Sequence, residues 1–234
     1  MKQMLLKIIS LALLLVVDLI AVAQPDSLTL SSENDSVRML HRAALPDTTW
    51  DFYPTYSAYE SYMTGFAQQY PTLCRWVAFD TLASGRRLMA LVISDNVDSL
   101  EAEPRFLYTS SMHGDELVGY ILMLRLADYL LKNYGTDSLV TRLVDDLEIW
   151  INPLANPDGT YRSGKHTVSG SWRYNANAVD INRNFPDPQD GPHPDGNAWQ
   201  AETMAFMALA NTQKFNMSAN IHGGAEVCNY PWDT

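Results

Sequence analysis

The stretch Pro104–Gly135, PRFLYTSSMHGDELVGYILMLRLADYLLKNYG, decides the fold. It opens on PRFLYTSS, a short run of aromatic, apolar and hydroxyl residues that reads as a strand. It closes on ELVGYILMLRLADYLLKNYG, where apolar residues recur at helical spacing up to Gly135, a residue suited to ending a helix. Between them lies a polar turn holding His113 and Glu116, three positions apart. A strand that passes through a short turn into a long amphipathic helix is half of a strand–helix–strand unit, and such units build sheets with parallel content.

The flanking sequence extends the same pattern. On the N-terminal side, SAYESYMTGFAQQY is helical in spacing and stops at Pro71, while RWVAFD and RLMALVIS read as strands joined by a turn at Ser84–Gly85. On the C-terminal side, TDSLVTRLVDD predicts a shorter helix capped by Thr136 or Asp137, and LEIWIN a buried strand. AWQAETMAFMALANTQ predicts a helix, and FNMSANIHGG a strand entering a Gly-Gly turn. Between Pro153 and Asn197 runs a stretch rich in Asn, Gly, Pro and Asp. A structureless segment of that length inside one domain points to a functional region. No internal repeat and no second domain emerge, so the expectation is one α/β domain over residues 51–234.

Composition narrows the partners. The 234 residues are 47% hydrophobic and 18% charged, enough for one sizeable core. A formal net charge of −11 argues against nucleic acid or an anionic membrane as partner, since both favour a basic face. Residues 1–23 carry Lys2 and Lys7, an apolar run and the small-residue ending AVA, the pattern of a secretory signal peptide. Asp18 within the apolar run weighs against a permanent span. The expectation is therefore an exported protein, periplasmic or extracellular, with no stable membrane span after signal cleavage. Residues 24–50 are polar and aperiodic, which predicts a flexible leader. The two cysteines, Cys74 and Cys228, lack the spacing of a thiolate metal site, and whether they pair is open.

His113 and Glu116 alone are a weak metal signal, because a glutamate opening a helix also stabilises its dipole. At i and i+3 they can share one face of a first helical turn. His222 strengthens the case. It follows a strand, beside Gly223 and Gly224, and ligands in open α/β sheets gather at the carboxyl ends of strands. Two histidines and one glutamate form a known catalytic zinc set with a fourth position left for water. His41, His166 and His193 lie in polar segments and read as solvated residues. In SWRYNANAVDINRNFPD, Arg183 sits between Asn182 and Asn184, a forked guanidinium beside amides suited to a carboxylate. Arg173 lies ten positions earlier. Both arginines could equally be surface charges, although Asp180 and Asp187 would neutralise a simple basic patch.

Four blocks in order, HGDELVG, NPLANPDGTY, WRYNANAVDINRNFPD and ANIHGGAEVCNYPWD, resemble the zinc metallocarboxypeptidases, most nearly the branch containing carboxypeptidases N, E and D. The resemblance runs from about Tyr56 to the C-terminus. It implies a mixed, largely parallel twisted sheet with helices on both faces, and one Zn2+ held by His113, Glu116 and His222. Asp180 would accept a hydrogen bond from His113, Arg173 would polarise the scissile carbonyl, and Asn182 with Arg183 would bind the terminal carboxylate of a peptide or protein substrate. Asp115 stands where the branch commonly has Asn.

The family's general-base glutamate lies far downstream of the second zinc histidine, whereas this chain stops at Thr234 soon after it. The expectation is a C-terminally truncated form lacking that glutamate and the last part of the fold, its own activity left open. Glu226 has no counterpart in the family as a base. The alternatives are a non-catalytic zinc- or peptide-binding pseudoenzyme, or an amidohydrolase, deacylase or cell-wall peptidase of the same fold.

Overall fold

The structure is a computed structural model; it describes Leu45 and residues 48–229. The expected signal peptide and most of the expected leader lie outside the described residues, as does the tail from Tyr230. At the leader's end, however, Leu45 and Trp50 pack against the core, and the Trp50 ring meets Tyr62 at 5.1 Å between centroids.

Among the described residues the elements run, in chain order, α1 (Tyr56–Gln69), β1 (Cys74–Thr81), β2 (Arg87–Ile93), β3 (Arg105–Ser110), α2 (Val118–Asn133), α3 (Ser138–Asp146), β4 (Glu148–Asn152), α4 (Pro157–Thr160), a 3-10 turn (Ile181–Arg183), α5 (Ala201–Gln213) and β5 (Met217–Ile221). Local chemistry sets their ends. The Thr55 hydroxyl accepts from Ala58 N at 3.2 Å to cap α1. Asp137 takes the cap of α3 through Leu139 N and Val140 N, at 2.8 and 3.1 Å. Gly135 closes α2 in a left-handed conformation, φ 77°, that an L side chain resists.

The sheet order is β1-β2-β4-β3-β5. The pairs β1–β2 and β2–β4 are antiparallel, and β4–β3 and β3–β5 are parallel. The sheet is thus mixed, with its parallel half on the side of β3. Side chains alternate across it as a two-residue period requires. Met89, Leu91, Ile93, Ile149 and Ile151 face one core with α1, α2 and α3, while Ala90, Val92 and Trp150 face a second with Leu209 of α5. Helices therefore cover both faces.

The register places the site. Thr109 of β3 pairs with Asn152 of β4 and with Asn220 of β5. Three parallel strands thus end at the same level on one edge. The segments that leave β3, β4 and β5 all start there.

Candidate metal centre

The first of these segments turns sharply. Ser111, directly after β3, is buried and left-handed with φ 53°, and its hydroxyl donates to Glu116 O at 2.9 Å. Glu116 N bonds His113 O at 3.1 Å. The helix begins only at Val118, so a turn rather than a helical face brings His113 and Glu116 together. This corrects the expectation from sequence; Leu117 offers no side-chain cap that would start the helix earlier.

NPDGTY is the brace behind this turn. Asn156 is fully buried, and its amide donates to Met112 O at 3.3 Å and Arg173 O at 3.4 Å while its oxygen accepts from Gly159 N at 2.8 Å. Thr160 Oγ1 donates to Gly114 O at 2.7 Å. A Cβ on Gly114 would lie 2.5 Å from the backbone of Gly159 and Thr160, which leaves only glycine room there. Reading types and spacings along the chain did not single out Asn156, Gly114 or Thr160 for the site. Their role is to hold backbone, and the one available signal was the Asn-Pro-Asp-Gly composition of the motif.

At the edge of the sheet His113, Glu116 and His222 converge. His113 Nδ1 lies 2.9 Å from Glu116 Oε1, His222 Nδ1 lies 2.8 Å from Glu116 Oε2, and the two Nδ1 atoms are 3.2 Å apart across 109 positions of sequence. Their ligand atoms all fall within 4.8 Å of one another. Gly223 N donates to Glu116 Oε2 at 3.0 Å. On the far side of the His113 ring, Nε2 meets Asp180 Oδ1 at 3.1 Å. Asp180 also takes Arg173, from Nε at 2.8 Å and from Nη2 at 2.7 Å. Arg173 Nη1 completes the ring of contacts at 3.2 Å from His113 Nδ1.

These contacts shift the acids and bases. Burial works to lower the His113 pKa, but the bonds to Asp180 and Glu116 outweigh it, so the imidazole ends above its usual value. Burial works to raise the Glu116 carboxyl, and the Gly223 N–H with both histidines carries it below the ordinary range. Burial opposes the ionised form of Asp180 too, yet His113 and Arg173 hold its carboxyl down at about 2.

The donor set fits a divalent ion of the zinc type. Two nitrogens each about 2.0–2.1 Å from a tetrahedral ion lie roughly 3.3 Å apart, close to the observed separation of the Nδ1 atoms. Asp180, as an ionised acceptor on Nε2, leaves the lone pair of His113 Nδ1 directed at the cluster. The group Asp95, Glu101 and Glu103 also gathers carboxylates, but all its donors are oxygens at a loop surface already bonded to Ser94 and Asn96.

The remaining candidates lie next to this centre. Asn182 N donates to Asp180 Oδ1 at 3.0 Å, so the 3-10 turn starts from the residue that holds His113. Arg183 is exposed, and its Nη1 donates to Asn182 O at 3.1 Å rather than to the trio. Asn184 is fully buried and anchors this turn to α5: its oxygen accepts from Gln200 N and Thr203 Oγ1, both at 2.8 Å. Cys74 is buried, Cys228 is exposed, and both are free thiols.

Comparison with known proteins agrees with this geometry. The profile of the family described as Zinc carboxypeptidase matches residues 59–234. Carboxypeptidase D of Anas platyrhynchos is 40% identical over 221 residues, covering 90% of this chain and 15% of its own length. Carboxypeptidase D of Rattus norvegicus is 43% identical over 176 residues, covering 74% of this chain and 13% of its own. Among solved structures, carboxypeptidase A from Helicoverpa armigera superposes with a TM-score of 0.63 at 22% identity, over 76% of this chain and 47% of that one. The chain therefore spans a small part of the curated relatives and about half of this solved neighbour.

Proposed function

The chain belongs to the zinc carboxypeptidase family, and on that premise we propose that His113, Glu116 and His222 hold one zinc ion in a site that hydrolyses the C-terminal peptide bond of peptides or proteins. One observation carries the reading: ligand atoms from two segments 109 positions apart meet within bonding reach of a single ion. Zinc there would supply Lewis acidity and lower the pKa of a water to about 7.

The chain's own residues do the rest. Asp180 fixes the His113 ring and, through two bonds, the plane of the Arg173 guanidinium. Arg173 is about one-third exposed, so one face of the fork remains open beside the cluster. It is suited to donate to the oxygen that gains charge as the scissile carbonyl is attacked. Arg183, exposed one turn away with Asn182, offers a guanidinium to a free terminal carboxylate, which restricts attack to chain ends. Glu226 is exposed, and we assign it no part as base. Export to the periplasm or the cell exterior belongs to the same reading and rests on residues 1–23. No helix of the described residues is long and apolar enough to cross a membrane.

The test is release of C-terminal amino acids by the whole protein bearing this chain. A peptide with a free carboxylate should be shortened, its amidated twin left intact, and the reaction stopped by a chelator and by His222→Gln. Arg183→Ala should raise KM more than it lowers kcat. Equal cleavage of the amidated peptide would remove the carboxypeptidase assignment in favour of an amidohydrolase, and zinc uptake without any turnover would favour a binding role.

A further inference from the structure

The two histidines are held unequally. His113 is backed on Nε2 by the carboxylate of Asp180, a charged acceptor. On His222 the corresponding atom, Nε2, lies 3.0 Å from the amide nitrogen Nδ2 of Asn220. Asn220 and His222 are two positions apart at the end of β5, so their side chains leave the same face of the strand. Asn220 is in turn fixed from across the sheet. It pairs in register with the buried Thr109 of β3, whose hydroxyl lies 2.9 Å from the Asn220 amide oxygen.

A neutral imidazole carries one proton, and Nδ1 of His222 offers a lone pair to the cluster only when that proton is on Nε2. The neighbour of Nε2 must then accept. Asn220 can do so once its amide is turned end for end, with the oxygen on His222 Nε2 and the nitrogen on the Thr109 hydroxyl, since the two ends of the amide have the same shape. The Thr109 hydroxyl serves either end, accepting from the amide nitrogen as readily as it donates to the oxygen. We propose that Asn220, steadied by Thr109, is the positioning residue of His222: its amide oxygen accepts the Nε2 proton and holds the ring as a ligand. This rests on the metal reading above. It makes His222 the weaker of the two imidazole ligands, because a neutral amide raises the basicity of the ring less than a carboxylate does.

The test compares zinc affinity, by competition with a chromogenic chelator, in the whole protein and in Asn220→Leu, Asn220→Asp and His222→Gln. The 15N shifts of the His222 ring and the melting temperature of the metal-free forms are read alongside. Asn220→Leu should lose roughly tenfold in zinc affinity, the low end of the range for such partners because this bond is exposed. Its metal-free melting temperature should stay near that of the parent. Asn220→Asp should bind zinc at least as tightly as the parent, and the ring of the zinc-loaded parent should carry its proton on Nε2. Unchanged affinity in Asn220→Leu, or equal weakening in Asn220→Asp, overturns the role of Asn220 while leaving the metal reading intact. If the parent takes up no zinc, or His222→Gln takes up as much, the ligand set itself fails and the role of Asn220 with it.

Discussion

At the scale of single residues, Asp180 ties the His113–Glu116–His222 cluster to the segment that follows it. It orients His113, plants Arg173 and starts the turn that carries Arg183. Asp180→Asn should lower zinc affinity by roughly 10- to 100-fold, measured by chelator competition. Its carboxyl sits at about 2, below the usual value near 3.9. A carboxyl held down in this way adds stability above its unfolded pKa, and that gain is lost as the pH falls from about 4 through about 2. Acid unfolding of the metal-free protein should show about 2 kcal/mol of this loss, and Asp180→Asn should lack it. His113 behaves oppositely. Its raised pKa stabilises the metal-free fold at low pH, fading as pH rises through the folded value, and the same proton competes with zinc. Zinc affinity, measured by chelator competition, should therefore fall as the pH is lowered through the raised His113 pKa. Burial pushes the Cys74 thiol up to about 12, so in a native thiol titration Cys228 should react promptly and Cys74 only on unfolding.

At the scale of elements, the site depends on backbone segments locked to one another more than on any helix. Gly114 touches the backbone of α4, and Asn156 ties three strands of loop together. Gly114→Ala should cost about 1–3 kcal/mol in thermal or denaturant unfolding, since backbone rather than a flexible side chain must move aside. Asn156→Ala loses a helix cap and the buried bond to the Met112 carbonyl, a cost of about 2 kcal/mol. Both changes should also weaken zinc binding, because His113 lies between the segments they hold. Helices α1, α2, α3 and α5 were legible from their periodicity, whereas α4 and the 3-10 turn lie in the stretch that reads as loop. The turn that pairs His113 with Glu116 was not legible either, because three-residue spacing looks the same whether a helix or a turn produces it.

At the scale of the whole molecule, the centre links β3 to β5, a strand with a partner on one side only among the described residues. Zinc binding should therefore slow amide exchange in β5 more than in the central β2 and β4, and should stabilise the fold by about 4 kcal/mol at a thousandfold excess over Kd. The sequence by itself determined the alternation of strands and helices and the residue types able to bind a metal. Those follow from periodicity and from side-chain chemistry, which are local. Only the tertiary structure decided that His222 meets His113, that Asp180 starts a turn while Asn184 anchors it, and that Asn220 contacts His222. These depend on strand order and register, which bring residues more than a hundred positions apart to one edge and are written in no short stretch of the chain.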